Sequence, residues 1–204
     1  MYLNDKQDRV CQGEIYRNLI FLEFLSEKKQ LDVLSTPYAL VLTQECDLKW
    51  DYEGHGGDKK KHNQYLNSIL CCPAYPETEL REGTHLYEVK GEDHKMREFV
   101  APGKKENTSW KQVKQNSDPR YHYLQRFLVD DIVIPELVLD FKHYYSVPRD
   151  LFYLRKDEAE YLARLNVPFR ELVSQRFAYF LSRVGLPELD TKNIDCQSDP
   201  CHTD

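Results

Sequence analysis

The sequence predicts an α+β fold, with a small sheet assembled early in the chain and helices added toward the C-terminus. Short apolar runs bounded by turn residues recur in the first part, as in Leu19–Leu25, Tyr38–Thr43 and Ser68–Pro73. A second set, Glu136–Phe141 and Lys142–Pro148, follows a polar middle. Beyond Pro168 the apolar residues switch to helical spacing. A chain of 204 residues, 41% of them apolar and including 14 Tyr and 9 Phe, suffices for one good core. Residues 1–187 are therefore expected to form one domain, with 188–204 as a flexible polar tail.

Taken in order, Gly13 is a turn residue ahead of a strand that begins near Glu14 and runs into Leu19–Leu25. Leu31–Leu34 and Tyr38–Thr43 read as two further strands, the second ending in Thr43, Gln44, Glu45, Cys46 and Asp47. Residues 51–63, with three glycines and three successive lysines, read as a loop or the approach to a helix. In the next strand Cys71 and Cys72 must face opposite sides of the sheet, which suits small apolar fillers better than a shared metal. The block 76–131 is polar and mixed, although Gly83–Val89 and Tyr121–Leu124 alternate like strands. Glu136–Phe141 is a short strand carrying Asp140, and Leu151–Leu154 follows. Lys156–Leu165 has helical spacing, with Asp157 and Glu158 placed for a first turn. The most secure element starts at Pro168, places Phe169, Leu172, Val173, Phe177, Phe180, Leu181 and Val184 on one stripe, and stops at Gly185.

The net charge of −6 argues against indiscriminate binding to nucleic acid. The charge is uneven, however: residues 88–126 hold nine Lys/Arg against six Asp/Glu. Within that stretch Lys111, Lys114, Arg120, Tyr121 and Tyr123 interleave cations with aromatic rings, the composition that meets phosphates and stacks on bases. A solvated hairpin explains the same composition. No apolar run approaches the ~20 residues of a membrane span, and the polar start carries no leader-like segment, so a reduced cytoplasmic protein without membrane partners is expected.

The strand order resembles that of the MazF/PemK-type toxin family, whose fold is a small SH3-like β-barrel with attached helices. Gly13-Glu-Ile-Tyr16 is similar to the family's opening strand, and Pro37-Tyr-Ala-Leu-Val-Leu-Thr43 to its second. Ile69-Leu-Cys-Cys-Pro73 resembles the third strand, and Leu139–Pro148 the later Asp-centred strand and its successor. The resemblance implies a MazF/PemK-like barrel with an inserted block at 76–131, in a bacterial toxin–antitoxin or defence-type setting. Its RNA-cleaving members carry Arg before the proline of the second strand and Ser or Thr after the third. Here those places hold Thr36, and Ala74 with Tyr75, so cleavage does not carry over with the fold. The Thr43–Asp47 ending is also similar to a Thr-Gln-x-Cys-Asp strand end of uncharacterised bacterial proteins.

Three functions are consistent with these residues. The first is a non-catalytic module binding RNA or a protein partner, with Lys111, Lys114, Arg120, Tyr121 and Tyr123 as the nucleic-acid set. The second is an endoribonuclease or other hydrolase in which Cys46 and Asp47 act with His122 or His143. The third is a structural or regulatory subunit. The incomplete family set favours the first and third. No cofactor is expected; Cys196, Cys201 and His202 supply three soft ligands where a structural zinc site wants four, so no metal is expected either. A homodimer is left open.

Overall fold

Strand β1 (Tyr2–Leu3) is followed by the long hairpin of β2 (Glu14–Leu25) and β3 (Leu31–Val41). Helix α1 (Glu45–Gly56), β4 (Ser68–Pro76), α2 (Glu77–Glu82) and α3 (Thr108–Lys114) come next. The rest comprises β5 (Tyr121–Leu124), β6 (Phe127–Val129), β7 (Ile132–Ile134), β8 (Leu137–Asp140), a 3-10 turn (Phe141–His143), β9 (Tyr145–Pro148), α4 (Arg149–Arg155), β10 (Glu160–Leu165) and α5 (Phe169–Leu181). The structure is a computed structural model and describes residues 1–25, 31–56, 65–85, 99–100, 106–129 and 132–183. Among the described residues no helix is long and apolar enough to cross a membrane.

The main sheet is antiparallel, in the order β1-β10-β2-β3-β4-β8-β5, and β4 is shared along its length. Ser68–Cys71 of β4 pairs with β9, and Ala74–Pro76 pairs with β8. Gly13 starts β2 from a left-handed φ of 81°, and a Cβ there would meet Leu165 and Arg170 side-chain carbons at 3.2 Å. A bulkier residue is therefore excluded twice, by backbone and by space. Within the block 76–131, β5 joins the main sheet by hydrogen-bonding to β8.

Both faces of the sheet are covered around the Tyr38–Val41 end of β3 and β4, which is why these segments read as continuous apolar runs. Tyr38, Leu40 and Cys72 face a core completed by Val173 and Phe177 of α5. Ala39, Val41 and Cys71 face the opposite core, with Leu48 of α1 and Phe152 of α4. The two cysteines thus take opposite faces as buried fillers. A third cluster joins Trp110 and Val113 of α3 to Tyr75, Leu80, Tyr121, Tyr123 and Val138.

Several expectations are corrected. The strand pairing is open and does not close into the expected SH3-like barrel among the described residues. The edge strands β1 and β5 are short, with two and four residues, and do not pair with each other. Side chains span the seam instead: Tyr2 Oη donates to the Gln125 carbonyl (2.8 Å), and the Tyr2 and Phe127 rings lie 4.4 Å apart. The two candidate strands at 31–34 and 38–43 are one strand, Leu31–Val41; Pro37 lies opposite Asn18, whose φ is 57°, and the register shift of the ladder falls between Ile20 and Leu22. Helix α4 and strand β10 replace the strand Leu151–Leu154 and the helix Lys156–Leu165. Asp157 and Glu158 turn the chain between these elements rather than starting a helix. Gly83 caps α2 with a left-handed φ of 71°, and residues 86–89 of the strand expected at Gly83–Val89 lie outside the described residues. The α5 helix appears, but it ends at Leu181 with Ser182 as its cap, short of the expected stop at Gly185, and Leu172 and Leu181 of the expected stripe are exposed; Val184, Gly185, Cys196, Cys201, His202 and the tail lie outside the described residues.

Helix α1 is locked by Asp51, a fully buried carboxylate. Its Oδ1 accepts from the Leu66 backbone N–H (2.9 Å) and its Oδ2 from Arg149 Nε (3.0 Å). Removing one side of a buried pair strands the other, so Asp51→Ala is expected to lose roughly 3–5 kcal/mol in urea unfolding. Asp47→Ala, on the same helix, should stay within about 0.5 kcal/mol of wild type.

Candidate functional site

Asp140 ends β8 in a fully buried position and caps the 3-10 turn after it. A carboxylate placed there must be satisfied on both oxygens. Oδ1 accepts from Arg120 Nε (2.8 Å) and from the Lys142 backbone N–H (3.1 Å). Oδ2 accepts from Arg120 Nη2 (2.6 Å) and pairs with His143 Nδ1 (2.8 Å). Burial alone would raise the Asp140 pKa, but the hydrogen bonds and charges of Arg120 and His143 outweigh it and bring the group to about 2. Register places Tyr121 opposite Asp140, so the β5/β8 ladder is what brings Arg120 to the carboxylate.

Arg120 is fixed from two directions. Its fork is held by Asp140, and its guanidinium lies 4.8 Å from the Tyr121 ring centre. Nη1 is the nitrogen outside this fork. Arg120 lines a cleft of about 480 Å³ together with Phe99, Gln112, Asp118, Tyr121 and Arg183, among others. One wall starts at Asn107, whose Oδ1 accepts from the Trp110 N–H (2.8 Å) to cap α3. Another wall is the turn after α3, clamped by Arg176 from α5. Arg176 donates to the carbonyls of Asn116, Asp118 (2.6 Å) and Tyr121 (2.8 Å).

The nucleic-acid set predicted from sequence is brought together only in part. Arg120 lines the cleft, and Lys111 and Lys114 are exposed on the adjoining α3. Tyr121 and Tyr123 are only 5% and 8% exposed and build the third core cluster, so neither offers a free stacking face. Lys114 lies 6.0 Å from the Tyr123 ring centre.

The predicted catalytic set is scattered. Cys46 and Asp47 do not end a strand; they sit in the first turn of α1, where Gln44 C=O accepts from the Leu48 N–H (3.0 Å). Early carboxylates suit that turn, and the lack of an apolar stripe concealed the helix. Cys46 is exposed, with Sγ 3.7 Å from Asp47 Oδ1 and 3.8 Å from Gln44 Oε1. Its shallow cleft of about 380 Å³ is lined by Gln12, Glu45, Arg170 and Ser174, and by no described histidine. His122 is buried, and that burial, reinforced by Arg176, pushes its pKa down to about 3. A neutral, enclosed imidazole is no acid–base partner for Cys46. His143 belongs to Asp140.

Sequence reasoning missed the connecting residues. Glu45 binds Arg9, the Gln12 N–H (2.9 Å) and Arg170 (3.5 Å), joining the N-terminal segment to α1 and α5. Arg176 on α5 and Arg183 just beyond its end carry no local signal of what they reach. Among the described residues no group of three His, Cys, Asp or Glu side chains is placed to hold a metal. Compared with known proteins, the chain matches no family model and no curated protein.

Asp140 is held below its ordinary pKa, so its contribution is present above about pH 4 and is lost as pH falls through about 2. The contribution is about 2–3 kcal/mol. Unfolding measured between neutral and acid pH should show a flatter acid limb for Asp140→Asn than for wild type. Parallel curves for the two proteins would contradict this assignment.

Proposed function

We propose that the protein binds single-stranded nucleic acid, foremost RNA, at the Arg120 cleft without cutting it. The observation that carries this reading is a guanidinium immobilised by Asp140 and Tyr121 at the wall of a cleft that also contains Arg183. A fixed cation loses little freedom when a phosphate arrives, and Lys111 and Lys114 add charge on the adjoining helix. The acidic remainder, within a net charge of −6, repels a polyanion elsewhere and confines it to this patch. Separation of Cys46 and Asp47 from the described histidines supports binding rather than cleavage. The same reading takes the sheet as a MazF/PemK-like, SH3-like barrel left open at one seam, with the Tyr2–Gln125 bond across the seam in its support. A toxin–antitoxin or defence-type setting in a bacterial cytoplasm rests on the strand resemblance alone.

Affinity for a short single-stranded RNA should fall steeply with salt. Lys111→Ala, Lys114→Ala and Arg120→Ala should each reduce the slope of log K against log salt by about 0.7. Slopes unchanged in all three variants would instead favour a protein partner for this surface.

One observation favours a second reading, an endoribonuclease. The buried Asp140 orients His143 through Nδ1, which leaves Nε2 for proton transfer beside Arg120. RNA incubated with the protein should remain intact if the binding reading holds. Cleavage abolished by His143→Ala would replace it with the enzymatic one.

A further inference from the structure

We infer that the Arg120 cleft is a pocket for one ribonucleoside monophosphate unit, either free or as an unpaired nucleotide of an RNA strand. The inference rests on the nucleic-acid reading above and specifies what enters the site. A cavity of about 480 Å³ lies within the roughly 300–1,000 Å³ of small-ligand sites, and its enclosure by α3, the 118–121 turn, Phe99 and Arg183 suits a single unit. A stacked duplex presents its bases only at the groove floors and has no comparable unit to insert.

The lining supplies a partner for each part of such a unit. Two guanidiniums provide for the phosphate. Arg120 is held by Asp140 and Tyr121, and Arg183 lies 4.0 Å from the Phe180 ring centre while donating to the Phe180 carbonyl (2.9 Å). Both are therefore placed before a ligand arrives. Asp118 is the carboxylate among the described residues that line the cleft: Oδ1 takes the Arg120 backbone N–H (2.8 Å), and the second oxygen serves a sugar hydroxyl. The 2′-hydroxyl is the group that separates RNA from DNA at a site of this kind. Phe99 and Tyr121, with ring centres 5.4 Å apart and planes at 78°, form an apolar boundary for the base. Gln112, exposed on α3, brings an amide that both donates and accepts to the base edge.

Calorimetric titration of the full chain with the four ribonucleoside 5′-monophosphates, their 2′-deoxy counterparts, inorganic phosphate and a short single-stranded RNA tests the pocket. At least one ribonucleotide is expected to bind and to displace the RNA. Arg183→Ala, an exposed position whose change should leave the melting temperature in place, is expected to weaken that nucleotide about tenfold. Asp118→Asn should narrow the difference between ribose and deoxyribose forms. RNA binding with no nucleotide binding or displacement overturns the pocket but leaves the nucleic-acid reading intact. Binding of neither RNA nor nucleotide overturns both. Inorganic phosphate that competes as well as any nucleotide reduces the site to an anion cradle and overturns the inference.

Discussion

A buried carboxylate has to be answered from every side, and Asp140 is where this protein does so. It sits where β8 turns into the 3-10 segment, and its partners come from two places in the chain: Arg120 just ahead of β5, and the Lys142 backbone and His143 in the turn that follows it. Dehydrating an aspartate costs several kcal/mol unless hydrogen bonds replace the lost water. Here the fork of Arg120 and the imidazole of His143 provide that replacement and hold the group ionised. The same bonds fix the orientation of Arg120 at the cleft wall. The stability of the sheet end and the geometry of the cleft are thus one interaction viewed from two sides.

The device recurs. Asp51 anchors α1 through Arg149 and the Leu66 backbone, and Arg149 lies 4.2 Å from the Tyr153 ring centre, much as Arg120 lies on Tyr121. Glu45 ties Arg9 and Arg170 together, and Arg176 clamps two carbonyls of the turn after α3 and that of Tyr121 at the start of β5. Short helices have few apolar contacts of their own, and α2, α3 and α4 each have seven residues or fewer. Directed charged bonds near them hold connecting segments that their packing alone would leave loosely placed.

The legible parts of the fold were those whose residue pattern has one cause. β4, β8 and the Tyr38–Val41 part of β3 could be read because burial on both faces leaves almost no polar positions, and α5 because its stripe at Val173 and Phe177 meets a single core. Helix α1 was hidden because it buries Asp51 and Gly54 along with Leu48, so its inward face carries no hydrophobic signature. Strand β10 was misread because Leu162 and Leu165 are three apart, a spacing shared by helices, and Asp157 with Glu158 mimics a helix start. At the site, Asp140, Arg120 and His143 each stood out by residue type. Their meeting depends on the register of β5 against β8, which no local spacing encodes. Cys46 and Asp47 attracted attention as a cluster, and only the tertiary structure shows them away from the Asp140 site.

The central claim is that Asp140 makes Arg120 an effective anion ligand by fixing it, rather than withholding it by neutralising its charge. The affinity of Asp140→Asn for single-stranded RNA at neutral pH, measured where near-ultraviolet circular dichroism shows native packing, separates the two roles. Loss of the charge-assisted fork should weaken RNA binding by about tenfold. Unchanged or tighter binding would show that Asp140 only competes for Arg120 and would contradict the account.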